Sequence, residues 1–382
     1  MSSLRCADPS RWTRTLAPFL VAACTTFEPP LHEADGHLGG ARDAGDGDHV
    51  TAPDGAMDQP GDDDADSMLD AGDGPEDDDG GTAKDAETPD ASAADAGPSL
   101  PIPKHPTNLT KCGFAAPVKI CNLTAPSLAE VSGMAVSRKN SGVFWVIEDS
   151  GNGSVVNAIN AHGDLIGTYS FTGGGVDIED VAVGPGPMAG ESYLYIGDIG
   201  DNSGTRNSVT VYRAPEPVVD KDQSFVNAPL TGVENFPMQY PSGRFNAEAV
   251  MVDTNQDIYV ITKDGFSRPN TVYRLSAPHK PATLRTLELV TTVYGGIGID
   301  LAITAADMSA DGSRIIVRSL HSATHWTRPP GMSVADTLDT VTPCDAELAV
   351  EDKGESVAFG PTGYYTTSEN ALSPLNFTSF SR

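Results

Sequence analysis

The stretch "DIEDVAVGPGPMAGESYLYIGDIGDN", residues 177–202, sets two apolar runs beside closely spaced acids. The first run follows Glu179 and Asp180 directly, and the second precedes Asp198 and Asp201. Short apolar runs bounded by Gly, Pro and Asp read as strands joined by turns. The first of these strands is one copy of a recurring pattern: "VSGMAV" (131–136), "IEDVAV" (178–183), "AEAVMV" (247–252), "AADMSA" (305–310) and "GESVAF" (354–359). A second strand follows each copy: "GVFWVIED", "SYLYIGDI", "DIYVITKD", "RIIVRSL" and "GYYTTSEN". The first three units also offer a third, in "VVNAINAHGD", "VTVYRAPEP" and "TVYRLSAP".

No long segment of helical period interrupts this texture, so residues 106–382 read as an all-β domain. The copies start about 47 to 69 residues apart, a spacing that suits four-stranded blades with variable loops. The expected architecture is therefore a β-propeller. Five units are visible, and the segments 107–123, 285–295 and 374–380 could supply further strands. That allows five to seven blades, with six favoured. A pair of β-sandwiches is the rival all-β reading, and it explains the recurring strand pair less well.

The motifs "EVSGMAV…FWVIEDSGN", "DIEDVAVGPGP…YLYIGDIGDN…VYRAPEP", "EAVMVD…IYVITK", "ADMSADGSRIIVRSL" and "KGESVAF…YYTTSE" resemble a family of exported bacterial β-propeller proteins. They are more distantly similar to phytase-like and esterase-like propellers, whose blades begin with an acid followed by small residues. The close resemblance spans about residues 128–370 and implies a propeller fold and an export address. It implies no reaction.

The N-terminus carries its own expectations. Arg5, Arg11 and Arg14 precede the apolar "LAPFLVAA", and "LVAAC" resembles a lipobox ending at Cys24. Residues 1–23 are thus expected to be a lipoprotein signal peptide, with Cys24 lipidated and the chain anchored to the cell envelope, at the outer membrane or cell surface. An ordinary secretory signal is the alternative. Residues 24–105 are expected to form a disordered tether rich in Asp, Gly, Ala and Pro, since they offer too little apolar surface to offset chain entropy. Residues 28–97 hold 22 acids against Arg42 and Lys84, which accounts for about -20 of the net charge of -29. The acidity therefore belongs mainly to the tether. Without basic patches interleaved with aromatics, nucleic acid is not an expected partner. Of the remaining cysteines, Cys112 and Cys121 are a candidate disulfide that leaves Cys344 over; a Cys121–Cys344 bridge is the alternative.

Repetition brings chemistry to one end of the channel. Glu179, Glu248 and Glu355 start their strands in register, with Asp180 and Asp307 one position on. Converging carboxylates raise one another's pKa unless cations neutralise them. A candidate Ca²⁺ with oxygen ligands would do so, and so would pairing with Lys263 and Arg318. Asp198, Asp201 and Asn202 of "GDIGDN" are further candidate metal ligands, although Asp and Asn also favour such loops by bonding their own backbone. In "HSATHW", His321 and His325 follow a strand and read as loop histidines. The sequence also lacks the GxSxG and P-loop signatures of common catalytic sites.

The expected function is a monomeric module that binds a protein or small molecule at the channel mouth, with catalysis left open. A Ca²⁺-dependent hydrolase of phosphate or carboxylic esters is the alternative. There Glu179, Glu248, Asp307 and Glu355 would hold the ion, and Lys263 and Arg318 would bind an anionic substrate. A purely structural envelope protein is a third reading.

Overall fold

The computed structural model describes residues 108–149, 151, 153–264, 269–295 and 301–380. The expected signal peptide, Cys24 and the tether lie outside them. An N-terminal strand, β1 (Val118–Asn122), precedes the first blade of β2 (Val131–Val136), β3 (Val143–Glu148), β4 (Val155–Asn160) and β5 (Leu165–Ser170). The second blade comprises β6 (Ile178–Pro185), β7 (Ser192–Asp198), β8 (Val209–Pro215) and, after a short β9 (Val226–Pro229), β10 (Glu234–Gln239). The strand β9 returns to the first blade and pairs parallel with β5. The third blade is β11 (Ala247–Val252), β12 (Ile258–Thr262), β13 (Asn270–Leu275) and, after β14 (Arg285–Thr286), β15 (Glu288–Val293); β14 pairs with β10. The fourth is β16 (Ala305–Met308), β17 (Arg314–Arg318), β18 (Ala323–Thr327) and, beyond the helix α1 (Val334–Thr340), β19 (Cys344–Asp345). The last is β20 (Gly354–Gly360), β21 (Gly363–Ser368) and β22 (Pro374–Ser379), completed by β1 on its outer edge.

These five sheets are the blades of a propeller. Their inner strands β2, β6, β11, β16 and β20 touch one another in sequence, and β20 touches β2, so the ring closes. Antiparallel pairing of β1 with β22, Val118 opposite Phe377, makes the last blade from both ends of the domain. Five blades replace the favoured six. The segments that suggested another blade instead supply β1, β14, β15 and β22, strands of blades already present.

Inner strands are buried along nearly their whole length, while β10 and β15 bury alternate residues. The first need continuous apolar sequence and the second need only one apolar face. The core is accordingly divided among the blade interfaces. Trp145, Val156 and Tyr169 of the first blade pack with Val181, Leu194 and Tyr212 of the second, and similar clusters fill the other four junctions.

Two acids expected at the channel mouth prove to be ties between blades. Asp180 accepts from its neighbour Val181 N (2.8 Å) and from Val250 N (2.8 Å) on the next blade. Asp307 likewise accepts from Met308 N and from Phe359 N, both at 2.7 Å. Each is spent on backbone amides that its own strand cannot satisfy, so neither reaches the mouth as a ligand.

The disulfide joins Cys112 to Cys344, which differs from both expected pairings. Residues 110–112 run alongside β19, where Cys112 N donates to Asp345 O and Asp345 N donates to Thr110 O, both at 2.9 Å. Cys121 lies instead in the interface of the first and last blades, its thiol donating to Ala161 O at 3.6 Å. The sequence spacing of 112 and 121 was misleading because β1 carries Cys121 across to a different blade.

Candidate functional site

The recurring acid has a backbone cause. Pairing slips between Ile178 and Asp180, between Ala247 and Ala249, and between Gly354 and Ser356. The same slip in β2 falls between Val131 and Gly133. A β-bulge leaves one residue out of the ladder and re-aims its side chain. The bulged residues are Ser132, Glu179, Glu248 and Glu355. Because all inner strands run the same way, the three acids arrive at one mouth of the channel. In the fourth blade β16 pairs without a slip, Ala305 opposite Arg318, and supplies no acid there. Ser132 uses its place to donate to Glu179 O at 2.6 Å, locking the first blade to the second.

Around Glu179 the geometry is tightest. Carboxylate oxygens of Asp149, at the end of β3, Asp177, just before β6, and Glu179 all lie within 4.8 Å of one another. Glu179 is only 2% exposed, and its Oε1 has no hydrogen-bond partner among the described residues. Gly200 leaves room for this convergence. A Cβ there would sit 2.2 Å from Glu179 Oε1 and 2.5 Å from Asp177 Oδ2, so any side chain at this position would push the two carboxyl groups off their present places.

The charge balance is one-sided. Burial raises the pKa of Glu179 above the usual carboxylate range; Glu248, Asp149 and Asp177 push it further, and Lys263 opposes them. Asp177 is raised by burial and then by Asp149. Glu355 is raised by burial and by Glu369. Lys263 pairs with Glu248 at 3.1 Å. Burial alone would lower the lysine's pKa, but Glu248, Glu355 and Glu179 outweigh it and raise it. One lysine therefore faces several carboxylates.

The loop acids serve differently. Asp198 Oδ1 accepts from Val176 N (3.2 Å) and Asp177 N (3.0 Å) and pairs with Arg206 at 2.8 Å. Asp201 accepts from Thr205 N (2.8 Å) and Arg206 N (3.0 Å), while Asn202 Oδ1 accepts from Asn246 Nδ2 (3.0 Å). These bonds shape the loop that brings Gly200 under Glu179 and orients Asp177. The candidate ligands Asp198, Asp201 and Asn202 thus support the cluster and do not join it.

Arg318, also expected at the mouth, is fully buried. Its guanidinium donates to Glu351 Oε2 (2.9 Å) and to the carbonyls of Ser319, Leu320 and Ser356 (each 3.0 Å). The packing allows it no access to a ligand. His325 is not a loop histidine either. It is buried in β18 beside the disulfide, with its pKa pushed down to about 4 by burial and by Arg314.

Asp177 was missed as a member of the site because it stands outside the repeat, and Asp149 because it closes a repeated second strand and is not one of the recurring acids of the first. Their one sequence signal is position, at the end of a strand and just before an inner strand, and such acids ordinarily serve turns. A divalent cation fits this set chemically. Hard oxygen donors suit Ca²⁺, and oxygens bound at about 2.3–2.6 Å from one centre lie within about 5 Å of each other. Among the described residues no helix is long and apolar enough to cross a membrane. Comparison with known proteins adds no family: no family description matches this chain, and no curated protein matches it significantly.

Proposed function

We propose that this propeller is a ligand-binding module of the bacterial cell envelope, with a divalent cation, Ca²⁺ in the first instance, organising its acidic channel mouth. The observation that carries the reading is the buried Glu179 Oε1, without a partner among the described residues and facing Asp177 over Gly200. A buried carboxylate oxygen left unpaired is costly, and a cation shared with Asp149 and Asp177 would remove that cost. Water or a backbone oxygen would fill the remaining coordination positions. Binding is favoured over ester hydrolysis because the two basic residues that a hydrolase would turn on an anionic substrate are committed. Arg318 is held by Glu351, and Lys263 by Glu248. The lipid anchor at Cys24 and the acidic tether would present the module away from the membrane.

Thermal melting of the full-length protein tests the cation. A ligand that binds only the native state raises stability by RT ln(1 + [L]/Kd), about 2.7 kcal/mol at a hundredfold excess over Kd. Calcium should raise the midpoint and a chelator should reverse the rise; a midpoint indifferent to both removes the proposal. For the anchor, Cys24→Ser should move the protein from the membrane to the soluble fraction, and retention in the membrane would contradict it.

A further inference from the structure

The opposite end of the channel holds a different kind of site. Where β2, β16 and β20 finish, a cavity of about 450 Å³ opens between the first, fourth and last blades. That volume lies in the range of small-molecule pockets. Two arginines line it, Arg138 after β2 and Arg314 at the start of β17. Neither forms an ion pair with a carboxylate among the described residues. Arg314 instead lies over the Phe380 ring, its Cζ 4.1 Å from the centroid, and approaches His325 Nε2 at 3.5 Å. Arg138 donates no hydrogen bond to any described residue; it is solvent-accessible within the concave wall. Enclosure lowers its pKa, against the opposing fields of Asp307, Glu216 and Tyr195, but an arginine keeps its charge regardless.

The acids beside the arginines are already engaged. Asp307 holds two backbone amides, and Asp311 Oδ1 accepts from Ser309 Oγ (2.7 Å), Ser313 N (3.0 Å) and Ser313 Oγ (2.7 Å). Those bonds hold the Asp311 carboxyl down at about 2, so its charge persists. The pocket thus offers guanidinium groups that no carboxylate of the described residues pairs, next to fixed negative charge that would repel a dianion. Its other wall is apolar and aromatic, built by Met308, Phe359, Pro361 and Phe380.

We infer that this second mouth binds a small monoanionic carboxylate with an apolar or aromatic tail, the carboxylate held by Arg138 and Arg314 and the tail packed on Phe359 and Phe380. Guanidinium and carboxylate match as planar, bidentate partners. The site is independent of the acidic mouth, since it shares none of the residues that converge on Glu179.

The test is calorimetric titration of the full-length protein with 3-phenylpropionate, with chelator present so that the acidic mouth carries no added ion. Saturable binding at one site is expected, at least tenfold weaker for the neutral 3-phenylpropanamide. Losing one charge-assisted hydrogen-bonding partner ordinarily weakens binding by about tenfold to hundredfold. Arg138→Gln and Arg314→Gln should each do so. Should the loss of ring stacking unfold the Arg314 variant, Arg138→Gln decides alone, because Arg138 makes no tie to the fold. No saturable binding of 3-phenylpropionate, equal affinity for its amide, an affinity indifferent to Arg138→Gln, or tighter binding of inorganic phosphate would overturn the inference.

Discussion

Replacing Glu179 by Gln separates a cation site from a structural acid, because the two roles predict opposite signs. The folded-state pKa of Glu179 is raised by burial and by Glu248, Asp149 and Asp177 above the ordinary 4.5 of a glutamate. A raised carboxyl means that the folded protein retains a proton which the unfolded chain has released. Its stabilising effect is fully present below about pH 4.5 and is lost as the pH rises towards the folded pKa. Each pH unit in that window costs up to about 1.4 kcal/mol, hence roughly 3 kcal/mol by pH 7 in the absence of a cation. Glutamine fills the same space without charge, and its amide can donate to Asp149 or Asp177. Glu179→Gln should therefore be more stable than the natural protein in chelator at pH 7, by up to about 3 kcal/mol, or on the order of 5–10 °C in melting temperature. The gap should close as the pH is lowered towards 4.5. In calcium the order should reverse or equalise, because the variant loses a ligand oxygen and with it the cation-dependent rise. Paired melting curves across pH 4.5–8, with calcium and with chelator, read all of this. A variant less stable than the natural protein in chelator would refute the reasoning, since it would show the carboxylate to be satisfied as it stands. So would a calcium response that survives Glu179→Gln intact.

Two further outcomes concern the scaffold. Arg318→Ala should cost about 3–5 kcal/mol in denaturant unfolding, because it leaves the Glu351 carboxylate buried with Thr366 and Asn376 as its side-chain donors among the described residues; a loss below about 1 kcal/mol would mean that the pair is not buried in solution. Reducing the Cys112–Cys344 bridge, or replacing both cysteines by serine, removes a crosslink between residues 232 apart and should cost about 2–5 kcal/mol. Identical melting of oxidised and reduced protein would show that the bridge does not form.

Much of the fold was legible because propeller blades repeat. The five strand pairs read from 131–136, 178–183, 247–252, 305–310 and 354–359 are the inner two strands of the five blades, in order. Blade count was less legible because it depends on where outer strands go. Nothing local in 118–122 says that it pairs with Pro374–Ser379 across the length of the domain. The same non-local placement moved Cys121 away from Cys112.

For the site, the sequence by itself determined that Glu179, Glu248 and Glu355 share a place at one end of the channel, because chain periodicity fixes equivalent positions. Only the tertiary structure decided what each acid does. A bulge of one residue turns Glu179 to the mouth, while Asp180 beside it faces the next blade and binds the Val250 amide. Likewise Arg318, charged and adjacent to a strand end, reads as a mouth residue until packing encloses it around Glu351. Asp149 and Asp177 join Glu179 through the approach of two blades over Gly200, and no repeat announces that contact. Periodicity assigns a residue to an end of the channel; the direction of its side chain depends on bulges and blade contacts, which form only when the ring closes.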